Sequence, residues 1–219
     1  MRFFWLLPLV ILLGACNPSQ PIPNDTIVMG LDIKPEQLDP RLGADSASQR
    51  INKIIYSGLL KLDQELTLVP DLAESYTIEN PTTYKFILKR GVLFHNGEQL
   101  TSADVRATYE SMLSGKIASP FKSSLSLIKG IETPDAHTVI FKLKEINAPF
   151  LTLMSLGIVP KTFVDADGSS RPEGQGVPPG SGPFQFVAAQ NSMSLIKLTR
   201  FDDYFGEKAK TKNIVFRVI

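Results

Sequence analysis

The chain has 219 residues, with 23 basic and 22 acidic side chains and a formal net charge of +1. That balance excludes the strongly basic surface of a nucleic-acid binder or a polybasic membrane-surface protein. With 43% hydrophobic and 21% charged residues it also excludes extended disorder, and the chain is long enough to bury a large core.

Arg2, the apolar stretch 3–13 broken by Pro8, and the small residues Gly14 and Ala15 follow the order of a secretory signal. The stretch falls short of the roughly 20 residues that cross a bilayer as a helix. A signal peptide is therefore expected over residues 1–15. Leu13-Gly14-Ala15-Cys16 resembles the bacterial lipobox, whose cysteine is acylated and becomes the first mature residue. Cys16 is the only cysteine in the chain, so an internal disulfide is excluded. The resemblance implies a lipid on Cys16 carrying several acyl chains, enough for stable anchoring. Residues 16–24 are polar and proline-rich and read as a tether. Residues 25–219 are left as the folded part.

Residues 26–31 are β-rich and predict a buried strand. Residues 35–45 are irregular, with Pro40 and Gly43 as breakers. From Ser46 the pattern is helical, with Ile51, Ile54, Ile55 and Leu59 on one face and Gly58 within the stretch as a candidate early stop. Residues 59–63 and 66–70 predict two short strands around a turn. Residues 73–78 lead into a hairpin turn near Asn80-Pro81, and Tyr84, Phe86 and Leu88 then alternate as on a half-buried strand. Phe94-His95-Asn96-Gly97 is a turn, since Asn and Gly tolerate positive φ. Thr101 with Asp104 forms a capping-box pattern ahead of a helix whose Val105, Tyr109 and Met112 make an apolar core stripe. A turn is expected at Thr133-Pro134-Asp135, followed by a strand with Val139, Phe141 and Leu143 inward. Pro149 opens a short apolar helix over 150–156. Residues 165–182 predict a long surface loop. Three further strands are expected at 184–187, 194–198 and 214–219. The fold class is α/β, mixed α+β, with more strand than helix.

The chemistry for an enzyme is thin. His95 and His137 both sit in or beside turns, without the spacing of a metal site. Gly174-Gln175-Gly176 neither follows a strand nor opens a helix as a phosphate cradle requires. There is no GxSxG nucleophile elbow. No catalytic residue, metal or other cofactor is expected.

Six blocks carry a family resemblance. Ile54 to Leu60, with Leu68-Val69-Pro70-Asp71-Leu72-Ala73-Glu74-Ser75-Tyr76, is the first. The others are Tyr84 to Val105, Gln37-Leu38-Asp39-Pro40, Ile158-Val159-Pro160-Lys161, Gly180-Ser181-Gly182-Pro183-Phe184 and Tyr204-Phe205-Gly206. In order and spacing they resemble the peptide- and nickel-binding proteins of ABC importers, extracellular solute-binding protein family 5. Ser57 stands where Glu is common in that family, Asn96 where Asp is common and Phe205 where Trp is common. The resemblance implies a periplasmic-binding-protein-like fold of type II, with a mixed β-sheet and flanking helices. Family members are much longer, so residues 25–219 are expected to form the first lobe, with the second lobe missing.

The resemblance further implies capture of a peptide or similar small solute for an ABC permease in the inner membrane. The protein would face the periplasm or the cell exterior, held to the membrane by its lipid. By the resemblance Ala44, Asp45 and Ser46 supply an extended edge to the ligand cleft, able to pair with a peptide main chain. Asp45 and Ser46 also stand where the following helix needs an N-cap, and the two roles are compatible. The competing expectation is a truncated or split lipoprotein that serves as a protein-interaction or surface module. An exposed apolar face would then be buried by a partner.

Overall fold

A computed structural model describes residues 23–164, 177–190 and 193–219. The expected signal peptide, Cys16, most of the tether and residues 165–176 of the expected loop lie outside the described residues.

Two four-stranded sheets organise the chain. The first is built from β1 (Thr26–Leu31), β8 (Phe184–Gln190), β9 (Leu195–Arg200) and β10 (Asn213–Val218), in the order β1-β10-β9-β8. Its β8, β9 and β10 are antiparallel neighbours, and β1 joins β10 in parallel, Thr26 opposite Asn213 and Leu31 opposite Val218. The second holds β4 (Ala73–Asn80), β5 (Thr83–Leu88), β6 (Ile128–Asp135) and β7 (Thr138–Leu143), in the order β4-β5-β7-β6, antiparallel throughout. Between them in sequence lies a small hairpin of β2 (Leu60–Leu62) and β3 (Leu68–Pro70).

Each sheet has its own core. Helix α1 (Ser46–Ile55) lays Ile51 and Ile55 with Leu38, Leu198 and Phe216 beside the first sheet. Helix α2 (Ser102–Ser114) lays Val105, Tyr109 and Met112 with Phe86 and Phe141 beside the second. The aromatic rings there meet edge to face, Tyr109 to Phe141 at 5.1 Å and Phe86 to Phe141 at 5.8 Å. Each such pair adds about 0.5–1.5 kcal/mol beyond its buried area. Two short helices, α3 (Lys122–Leu125) and α4 (Phe150–Leu153), complete this half.

The inward alternation of Tyr84, Phe86 and Leu88 is present, and so is the packed stripe of α2. Asp104 closes the start of α2: its Oδ2 accepts from the Thr101 N–H at 2.8 Å and from the Thr101 hydroxyl at 2.9 Å. Four expectations need correction. The 26–31 strand is not buried: β1 is an edge strand, and Ile27, Val28 and Met29 are exposed. The turn expected at Thr133-Pro134-Asp135 is absent, because β6 runs on to Asp135 and the chain reverses at Ala136-His137. Pro134 is tolerated there because β6 is an edge strand, where a missing N–H costs no ladder bond. The helix opened by Pro149 stops at Leu153. The last part of the expected surface loop is packed inside, with Gly180, Ser181 and Gly182 buried against α1.

Candidate functional site

The irregular segment before α1 is held by a buried ion pair. Arg41 is 0% exposed. Its Nη2 donates to Asp39 Oδ2 at 2.7 Å and its Nε to Asp39 Oδ1 at 3.0 Å, a two-pronged fork. A third donor, Nη1, reaches Ser111 Oγ on α2 at 3.2 Å, and the Ser119 hydroxyl donates to the Arg41 carbonyl at 2.8 Å. The guanidinium also lies 5.5 Å from the centre of the Phe163 ring. Burial of a charge is tolerated only when its partners are this complete. The result is a backbone segment fixed to the second half of the molecule by side chains from the first.

Beyond Arg41 the chain turns tightly at Gly43, where a Cβ would sit 2.5 Å from the Gln37 carbonyl oxygen and 2.9 Å from Ser48 Cβ. Ala44 and Ser46 are exposed, and Asp45 is half-buried between them. Asp45 is the N-cap of α1, its Oδ1 accepting from the Ser48 N–H at 2.8 Å and its Oδ2 from the Glu36 N–H at 3.4 Å. Partial burial disfavours its charged form, but the hydrogen bonds from Ser48 and Glu36 outweigh that and hold the carboxyl below its usual range. The Ala44 N–H makes no hydrogen bond to another described residue.

The polar flank of α1 faces a cleft of about 220 Å³. Gln49, Asn52, Lys53 and Tyr56 line one wall, at the three-and-four spacing that puts residues on one side of a helix. Phe121, Leu153 and Leu156 line the opposite wall, and Pro40 and Gly43 close the end. Ala44, Asp45 and Ser46 follow Gly43 at the edge and are not among the lining residues.

Behind the cleft, hydrogen bonds tie the segment 178–182 to α1 and to the residues before it, and His95 joins that segment to the second half. The Tyr56 hydroxyl lies 2.8 Å from the Leu38 carbonyl and 2.9 Å from the Pro178 carbonyl, so its single proton serves one at a time. Burial raises the Tyr56 pKa well above its ordinary value, with the Asp39 charge adding to the effect, so the group stays a neutral donor. Gly182 donates its N–H to the Ile55 carbonyl at 2.8 Å, satisfying a free acceptor at the end of α1. A Cβ on Gly180 would overlap that same carbonyl. His95 is the second staple. Its Nδ1 accepts from the Gly180 N–H at 3.2 Å and its Nε2 lies 3.0 Å from the Gly182 carbonyl. Those partners assign the neutral Nε2–H form. Burial lowers the His95 pKa, partly offset by the Gly182 carbonyl.

Sequence reading expects Ala44, Asp45 and Ser46 at the cleft edge and weighs Tyr56 as able to reach the cleft but favours core packing for it; Tyr56 is both buried and a lining residue, and the other lining residues are missed. Gln49, Asn52, Lys53 and Tyr56 are legible in principle as the polar flank opposite Ile51 and Ile55. Phe121, Leu153 and Leu156 carry no such signal, since only tertiary packing brings them across from α1. The buried Asp39–Arg41 pair is also missed: two charges one residue apart in a loop look solvated.

The two sheets, their helices and the cleft form the mixed α/β fold of a type II periplasmic binding protein. Residues 67–219 match the family model described as bacterial extracellular solute-binding proteins, family 5 middle. The chain is 31% identical to the oligopeptide-binding protein AppA of Bacillus subtilis over 233 residues, covering 98% of this chain and 43% of AppA. The chain therefore belongs to the bacterial extracellular solute-binding proteins of family 5. The structure of B. subtilis AppA in complex with a nonapeptide is similar at a TM-score of 0.80 and 30% identity, over 89% of this chain and 40% of that one. The binding protein AgaA with agropinic acid, from A. tumefaciens R10, is similar at 0.81 and 28% identity, over 89% and 40%. NikZ from Campylobacter jejuni, with Ni(L-His), shares the fold at 0.83 and 24% identity, over 90% and 40%. The chain spans less than half the length of the relatives it matches. Among the described residues no helix is long and apolar enough to cross a membrane.

Proposed function

We propose that the chain supplies part of a solute-binding site, capturing a peptide or similar small solute for an ABC importer. The observation that carries this is the cleft of about 220 Å³ beside Gly43, followed in the chain by an Ala44 N–H that makes no hydrogen bond to another described residue. A main-chain donor next to a half-apolar cleft suits an extended peptide, because backbone hydrogen bonds give affinity without strict side-chain choice. Ala44, Asp45 and Ser46 act in this reading through their backbone, since the Asp45 carboxylate is engaged in capping α1. The ligands named for the relatives AppA and AgaA, a nonapeptide and agropinic acid, support a peptide or a small polar solute.

The same reading makes the chain a first lobe, facing a second that closes over the solute by a hinge motion. Cys16 carries the lipid that keeps the receptor near its permease, on the periplasmic or outer face of a bacterial membrane. Held only by the contacts of these 219 residues, a solute binds weakly. Calorimetry with a mixed peptide pool tests it: dissociation constants in the high micromolar range or weaker are expected, and sub-micromolar binding contradicts the half-cleft.

One observation favours a second reading. Ile27, Val28, Met29 and Ile33 are exposed on and beside edge strand β1, Ile33 at 54%. An apolar edge strand of this kind pairs readily with another chain. A surface lipoprotein that docks a protein partner through β1 predicts concentration-dependent mass in solution, which a solute receptor with a free cleft does not.

A further inference from the structure

The cleft wall formed by α1 holds two polar groups that the fold itself does not use. Lys53 is the one charged residue among those lining the cleft, and it makes no ion pair among the described residues. It is exposed, so its ammonium is free to meet a ligand. Beside it, Asn52 is only 8% exposed, and its Oδ1 is buried without a hydrogen-bond partner. A buried acceptor left unpaired is costly, and such groups in native folds call for an explanation. Across from it the lining is mostly hydrocarbon, from the half-buried Phe121, Leu153 and Leu156, with the exposed hydroxyls of Thr152 and Ser155 between them and no second charge.

We propose that this cleft selects ligands that carry a carboxylate next to an apolar side chain. The carboxylate pairs with the Lys53 ammonium. A ligand N–H, or a water it brings, supplies the missing donor to Asn52 Oδ1. The apolar side chain lies against Phe121, Leu153 and Leu156. The lining joins a single cation to a mostly apolar surface, and a neutral or cationic ligand leaves that cation without a partner. This rests on the solute-binding reading above and narrows it to a ligand chemistry. A peptide C-terminus and an acidic side chain share that chemistry.

Fluorescence anisotropy on the full chain separates the possibilities. The probes are a dye-labelled Phe-Leu peptide as the free acid, the same peptide as its C-terminal amide, and Phe-Leu-Glu as its C-terminal amide. The free acid is expected to bind about fivefold tighter than the Phe-Leu amide at low salt, the upper range for an exposed ion pair. That preference shrinks as salt rises. Lys53→Met abolishes the difference between free acid and amide, and Lys53→Arg restores most of it. The Phe-Leu-Glu amide shows which source of carboxylate is preferred: it matches the free acid if the side chain serves and the Phe-Leu amide if only a terminus does. Leu153→Trp, which fills the cleft, weakens every probe. Equal binding of all three probes to the wild-type chain, still lost in Leu153→Trp, overturns the carboxylate assignment and leaves the solute cleft standing. Binding of every probe that Leu153→Trp does not alter overturns the cleft itself.

Discussion

Removing Arg41 tests how the cleft edge is built. In Arg41→Met the Asp39 carboxylate stays buried, losing the donors at 2.7 and 3.0 Å, and Ser111 Oγ loses its contact at 3.2 Å. Breaking a buried pair from one side costs about 3–5 kcal/mol, because the remaining charge is left without compensation. That is a large share of the roughly 5–15 kcal/mol that holds a domain folded. For a chain of this size each kcal/mol moves the melting temperature by about 2–4 °C, so a fall of about 6–20 °C follows. The double variant Asp39→Leu with Arg41→Met removes both charges and should recover most of that loss, since apolar replacement of a buried pair is often neutral. Scanning calorimetry on wild type, both single variants and the double variant closes the cycle. A fall below about 2 °C in Arg41→Met, or a double variant no more stable than the singles, would refute the claim that this pair anchors the segment.

His95 gives a pH prediction with a definite sign. Its folded-state pKa lies below the ordinary value of about 6.5 because burial disfavours the charged ring, an effect only partly offset by the Gly182 carbonyl. The unfolded chain then takes up the proton first, so this contribution is full above about pH 6.5 and is lost as pH falls through that value toward the lowered folded pKa. Urea midpoints between pH 7.5 and 5 should fall more steeply for wild type than for His95→Gln; parallel slopes would contradict the staple. Asp45→Ala should cost about 0.5–2 kcal/mol through loss of the α1 cap. Because the Asp45 carboxyl is held below its usual range, that advantage of the wild type is present at neutral pH and disappears in acid. Gly43→Ala drives a methyl to 2.5 Å from the Gln37 carbonyl and should cost about 1–3 kcal/mol in urea unfolding; a neutral result would show that the segment yields freely.

Local features of the fold are legible in the sequence because they are short-range. The alternation at Tyr84, Phe86 and Leu88 follows from the two-residue period of a strand, and the Thr101–Asp104 cap from the free N–H groups at a helix start. Pro134 misleads because proline usually breaks a strand, and only the sheet order reveals that β6 lies at an edge. The exposure of β1 is hidden for the same reason: hydrophobicity shows that a strand wants a neighbour, not whether the chain provides one. The candidate site is less legible. The family resemblance singles out Ala44, Asp45 and Ser46, which follow Gly43 in the chain but are not among the residues lining the cleft, and Pro40 and Gly43 mark the turn before them. The wall across the cleft is set by contacts between residues about a hundred positions apart in sequence, such as Tyr56 with Gly157. His95 reads as an ordinary turn residue because its partners, Gly180 and Gly182, are contributed by a distant loop.

The central claim is that a solute lies against α1 in the cleft beside Gly43. Photo-crosslinking with a peptide bearing benzoylphenylalanine, followed by mass spectrometry of the digested chain, tests it most directly. The account predicts adducts on residues 40–56, on Phe121 and on residues 152–157, competed away by unlabelled peptide. Adducts confined to β1, or scattered without competition, would contradict it.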